Sequence, residues 1–245
     1  MNMLKAGVRN ETVKLLSKKK YKALLIMLFL LCIAAGLLGG FTKGLIGLSL
    51  TNMPLTILSI ATRFLFPLMI ALAAADTFTA EQENGSIKAV ITRPVSRINI
   101  FNSKVLAIVL YIILALLVCL VASLVSGIVF NGIDSLNIGE AILAYTVSII
   151  PMLPIVLFAV AISQFCKNSS STVMLSVFIY IVIAFIGVAL PSSSPMLFAS
   201  YTGWYKLFIG ASMPFTSILN ILALLAAYTL IFYAAGSWAF ERKEY

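Results

Sequence analysis

Polar and apolar residues are segregated along this chain in long blocks rather than mixed position by position. Apolar runs at 22–41, 55–75, 104–130, 141–165, 172–190 and 216–240 are each close to or above about 20 residues, the helix length that crosses a hydrocarbon core. A transmembrane barrel would instead alternate residue by residue over strands of about 10, and that pattern is absent. The pattern therefore predicts an all-α polytopic membrane protein, six transmembrane helices in a single transmembrane domain spanning 1–245. Before the first run, Leu4, Val8, Thr12 and Leu15 recur at helical spacing with Lys5, Arg9 and Lys18 elsewhere on the wheel. This predicts a short amphipathic helix within 1–21, lying at the membrane surface. The 191–215 stretch holds Phe198, Tyr201, Trp204, Tyr205 and Phe208 among Ser, Pro and Gly. It is too apolar for a solvated loop and too broken for a crossing, so it reads as a re-entrant or interfacial hairpin anchored by Trp204 and its tyrosines. Pro151 and Pro154 are expected to kink the fourth crossing, because proline deletes a ladder donor and clashes with the preceding turn.

Composition sharpens this picture. The chain is 62% hydrophobic and 10% charged, with a mean hydropathy of +1.09. Its formal charge of +9 invites a nucleic-acid reading, but the distribution of the cations favours a membrane one. Lys5, Arg9, Lys14, Lys18, Lys19, Lys20 and Lys22 precede the first crossing; Lys88, Arg93, Arg97 and Lys104 lie between the second and third; Lys167, Arg242 and Lys243 fall on the same side. The opposite side holds Lys43 and Lys206, with Arg63 inside the second segment. By the positive-inside rule both termini and the 76–103 loop are expected in the cytoplasm, in a cell (plasma or inner) membrane. No nucleic-acid partner is implied.

Absences narrow the chemistry. The chain has no histidine, which removes Ser-His and Cys-His nucleophile pairs, histidine zinc sites and histidine proton relays. Cys32, Cys119 and Cys166 show no paired spacing and read as small, unpaired thiols. No catalytic and no metal-binding residue is assigned. The first apolar run is longer than a signal peptide's core and lacks a clear cleavage site, so it reads as an uncleaved first helix.

The longest polar stretch between apolar blocks is Asp76-Thr-Phe-Thr-Ala-Glu81-Gln-Glu83-Asn-Gly85-Ser-Ile-Lys88, running on to Arg93-Pro-Val-Ser-Arg97. Physically it continues the second helix into the aqueous phase, reverses at Gly85, and is kept from forming one helix with the next segment by Pro94. An acidic residue, then Glu-x-x-x-Gly-Ser, then Pro-Val-Ser-Arg and a Lys opening the third crossing, resembles the ABC-2 family of ABC exporter membrane subunits. The positions are Asp76, Glu81, Gly85, Ser86, Pro94, Val95, Ser96, Arg97 and Lys104. The likeness extends in outline over the whole chain.

That resemblance implies a coupling helix between the second and third crossings, docked in a groove of a separate ATPase subunit through Glu81, Gln82, Glu83, Asn84, Gly85 and Ser86. Asp76, Pro94, Arg97 and Lys104 would support the motif. It also implies two ATPase subunits, a second permease subunit (identical or homologous), and a path lined by the second and fifth crossings. No G-x-x-x-x-G-K-[ST] phosphate loop occurs in the chain, so ATP and Mg belong to the partner and no cofactor is expected on this polypeptide. Export of a hydrophobic or amphiphilic substrate is the implied activity, with cargo identity left open. Arg63 is either a snorkelling residue near the outer end of its helix or a residue of the pathway. The run Asn168-Ser169-Ser170-Ser171-Thr172 is expected to cap the fifth helix. Two rival functions need no ATPase. An ATP-independent secondary transporter or channel would usually show mid-bilayer charges and an internal repeat, and an intramembrane enzyme would need carboxylates or a Ser-Lys pair deep in a helix.

Overall fold

The computed structural model describes residues 2–41, 53–87, 95–131, 137–209 and 215–243, and these residues contain helices and turns but no strand. An N-terminal helix, Asn2–Ser17, precedes six long apolar helices. These are Lys19–Phe41, Met53–Glu83, Arg97–Asn131, Ile138–Phe165, Ser169–Ala189 and Phe215–Arg242, here called the first to sixth spans. Only structures that satisfy every backbone group internally can cross lipid, and helices this apolar do so. The second and third spans run past the expected crossings at one end: 76–83 and 97–103 are helical, and the end of the second span with the turn that follows it at 84–87 is here called the elbow. Ser96 starts the third span early, its carbonyl accepting from the N–H groups of Asn99 and Ile100. Lys88, Arg93 and Pro94 of the polar stretch, like Lys43, lie outside the described residues.

The second span is not a uniform α-helix. Two five-residue π turns, Ala61–Leu65 and Ala75–Thr79, interrupt it, closed by the N–H of Phe66 on the Ala61 carbonyl and that of Ala80 on the Ala75 carbonyl. The first has an evident cause. Pro67 has no N–H to return to the carbonyl of Arg63, so the ladder shifts register there.

The fourth span is the axis of the bundle, with 67% of its most apolar window buried against 11% for the sixth. It packs on the second, third, fifth and sixth spans. The sixth span comes close to it at Gly236, where an added Cβ would lie 3.3 Å from Phe101 Cζ and 3.6 Å from Ala161 Cα. The first span pairs with the third: the Tyr21 and Tyr111 rings meet edge to face at 5.1 Å, and further along the Cys32 and Cys119 Sγ atoms lie 3.6 Å apart as free thiols.

The predicted kink and the predicted hairpin prove to be one feature. The fourth span breaks at Ser148, one turn before Pro151, while Pro154 is carried inside a continuous helix. Pro151 leaves the Val147 carbonyl without its ladder donor, and the indole N–H of Trp204 supplies one at 3.0 Å. Trp204 belongs to a run of 3₁₀ turns, Phe198–Phe208, folded back against the ends of the second, fourth, fifth and sixth spans. Nearby, Tyr205 donates to the Leu55 carbonyl (3.1 Å) and Tyr228 to that of Met196 (2.8 Å). The aromatic residues at 198–208 thus close the end of the bundle opposite the elbow.

Candidate functional site

The elbow is built on the last two turns of the second span. In a regular α-helix residues five apart are rotated by about 140°, so Asp76 and Glu81 would face different directions. The π turn between Ala75 and Thr79 closes on i+5 instead, which brings both carboxylates to one side. That side meets the N-terminal helix and the start of the third span. Asp76 pairs with Lys18 (3.3 Å) and Lys20, and Glu81 with Lys14 and with Lys104 (2.7 Å). Lys104 is fully buried. Its ammonium also reaches Glu11 Oε2 at 3.3 Å and the Thr77 carbonyl at 3.1 Å, and it lies 5.9 Å from the centre of the Phe78 ring. A charge this deep is tolerable only when paired and hydrogen-bonded.

The N-terminal helix contributes Glu11 and Lys14, three apart and so on one face, and the bend that follows it contributes Lys18. Gly7 lets it approach the third span: a Cβ there would meet Ser103 Cβ at 3.1 Å. The expected amphipathic N-terminal helix is present, and its inward face has specific partners. One face is packed on the third span and ion-paired to the elbow, while Lys5, Arg9 and Val13 remain exposed. Glu11 was not singled out from sequence. Its signal was its position as an acid within an otherwise basic arm, in register with Lys14 and Lys18.

The tip turns sharply. Ala80–Glu83 is the last helical turn; Asn84 caps it and Gly85 follows at φ +68°, the left-handed conformation that closes a helix cheaply only for glycine. The Gly85 N–H bonds the Gln82 carbonyl at 3.1 Å. Glu83, Asn84, Gly85 and Ser86 are exposed and Gln82 partly so, whereas Ile87 returns to the core. The six residues assigned to docking by resemblance are therefore divided by the geometry: Glu81 turns inward, and 82–86 form the outward rim.

Glu83 has a second attachment. Its Oε2 accepts from both the backbone N–H and the hydroxyl of Ser169, each at 3.0 Å, at the first turn of the fifth span. The polar run at 168–172 does not cap its own helix through the Asn168 side chain, as expected from sequence. The acceptor comes instead from the elbow, a carboxylate at the positive end of a helix. Thr79 adds a buried link, its hydroxyl 2.9 Å from that of Thr172 and 3.2 Å from the Ser163 carbonyl. Replacing Glu83 by alanine should lower stability by about 0.5–1 kcal/mol and speed amide exchange at 169–172, read by hydrogen–deuterium exchange. Unchanged exchange there would contradict the cap.

Of the motif-supporting residues, Asp76 and Lys104 belong to the buried cluster. Arg97 is exposed and donates to the carbonyls of Glu241 (2.6 Å) and Lys243 (3.3 Å) at the end of the sixth span. Pro94 lies outside the described residues. Arg63 is not part of the elbow; it is exposed in the first π turn, beside the exposed Phe64. The N-terminal helix, the elbow and Lys243 all meet at one end of the bundle.

With this geometry in place, comparison with known proteins adds one finding. A family model described as "ABC-2 family transporter protein" matches residues 8–245. No curated protein matches the chain.

Proposed function

Because the chain belongs to the ABC-2 transporter family, we propose that it forms the membrane-embedded half of an ATP-driven exporter. Proteins of this family are membrane transport components that work with ABC ATPase partners. In this reading the elbow lies in the cytoplasm, its rim at Gln82–Ser86 seats in an ATPase subunit, and two such subunits serve two permease subunits. The one-sided placement of Lys and Arg supports that orientation. The absence of a phosphate loop from the sequence supports leaving ATP and Mg to the partner.

The observation that carries the proposal is the way the rim is mounted. An exposed tip stands on carboxylates that are themselves locked to the N-terminal helix and the third span, and Glu83 ties it to the fifth. A load applied at 82–86 therefore reaches three separate elements through charge-assisted contacts rather than through a loose loop. Closure of the ATPases would move the elbow and rock the bundle between inward- and outward-facing states, each nucleotide state favouring one conformation by its differential binding. The path would run between two permease subunits along the second and fifth spans. The exposed side of the second span carries Arg63, which would then meet cargo or the second subunit, and the cargo would be hydrophobic or amphiphilic.

Gly85→Val tests this. A β-branched residue at φ +68° costs roughly 1–2 kcal/mol of local strain, enough to redirect the tip while the spans still insert. The expected result is normal membrane insertion with loss of ATPase-subunit copurification and of transport-stimulated ATP hydrolysis. Normal hydrolysis coupling in that variant would refute the docking role.

A further inference from the structure

Three chain segments converge beside the elbow rim, and only one of them is the elbow. The Lys243 ammonium donates to Gln82 Oε1 and, at 2.6 Å, to the carbonyl of Gln164 at the end of the fourth span. Burial lowers the basicity of that amine, and the nearby Cys166 opposes the shift. Arg97 holds the carbonyls of Glu241 and Lys243, so the end of the sixth span is folded against the elbow instead of trailing away. The Arg242 guanidinium lies over the Trp238 ring, 4.4 Å from its centre. Between the fourth and fifth spans, the short turn carrying the exposed Lys167 ends at Ser169, the residue that Glu83 grips.

The result is a single face whose exposed cations, Arg97, Lys167 and Arg242 with Lys243 beside them, outnumber its acids, and whose Glu83 is already occupied. The two glutamines joined by Lys243 each keep a buried amide atom with no hydrogen-bond partner among the described residues, Gln82 Nε2 and Gln164 Oε1.

We infer that the ATPase subunit docks on a composite face, in which Lys167 and the chain end at Arg242–Lys243 join the elbow rim, and that the matching ATPase surface is acidic. This rests on the proposed permease role and deepens it. Charge complementarity of this kind acts on association and is screened by salt.

The experiment uses the full complex in nanodiscs, with the ATPase subunit that copurifies with the wild-type chain. Its affinity for the permease is measured at low and high salt for the wild type, for Lys167→Glu, for the triple variant Lys167→Glu, Arg242→Glu, Lys243→Glu, and for Gly85→Val. The expected result is an affinity lower by about tenfold or more in the triple variant at low salt, with a difference that shrinks at high salt. Lys167→Glu changes only an exposed side chain and should weaken binding about threefold even if the triple variant folds poorly. Wild-type affinity in Lys167→Glu and in a folded triple variant, with binding lost in Gly85→Val, would overturn the composite face and leave the elbow reading standing. Wild-type affinity in all of them, Gly85→Val included, would overturn both.

Discussion

Replacing Lys104 with methionine is expected to destabilise the protein by about 3–5 kcal/mol, the range found when one partner of a buried ion pair is removed. Methionine keeps most of the unbranched stem, so a cavity does not account for the loss. The ammonium is fully buried and is shared by Glu81, Glu11 and the Thr77 carbonyl. Without it, Glu11 loses its ion-pair partner, and Glu81 keeps only Lys14, whose side chain is 40% exposed. Thermal unfolding in detergent should show a large fall, together with loss of the coupling tested through Gly85. A second substitution, Glu81→Gln, made in the Lys104→Met background should cost far less than it does alone, because the uncompensated charge is already present. That non-additivity is the signature of a coupled pair. Two strictly additive single effects would mean that the two residues act independently.

The second large effect is expected at Phe101. Its ring is fully buried and meets Phe78 and Phe240 at centroid distances of 5.6 Å each and Tyr233 at 5.7 Å. These rings belong to the second, third and sixth spans, and the Gly236 crossing of the sixth span on the fourth packs against the same ring. Phe101→Ala opens a void that four elements border, and core Phe→Ala changes cost about 3–5 kcal/mol. Phe101→Leu retains much of the volume and should cost about 1–2 kcal/mol. Unfolding midpoints that order as wild type, Leu, Ala would confirm a packing role, whereas equal losses would point to the edge-to-face ring geometry itself.

What could be read from sequence was what depends on local composition. Six apolar runs, a surface-seeking N-terminal helix, an aromatic hairpin and a glycine-closed polar elbow all follow from residue type and spacing. The parts that escaped depend on register between distant segments. Nothing in the Asp76–Glu81 stretch announces a π turn, so the shared direction of those two carboxylates was hidden; Lys14 counted only as a topology signal, and Lys18 as that and as a polar position on the helical wheel. Glu83 capping the fifth span joins residues 86 apart, beyond the reach of any pattern within one helix. The Pro151–Trp204 pairing was half visible: the proline forecast a freed carbonyl, and the tryptophan forecast an anchor. That each was the other's partner required the fold.

The pairing of the N-terminal arm alters what its basic composition means. Of the seven cations before the first crossing, three are paired with acids of this same chain: Lys18 and Lys20 with the one carboxylate of Asp76, and Lys14 with Glu81, which also holds Lys104. Lys5, Arg9, Lys19 and Lys22 are exposed and outside those pairs, and they are the cations of the arm most available to an anionic lipid headgroup layer. Residues counted toward orientation by the positive-inside rule are thus in part engaged by the fold, and the arm presents fewer unpaired cations to polyanions than its composition suggests.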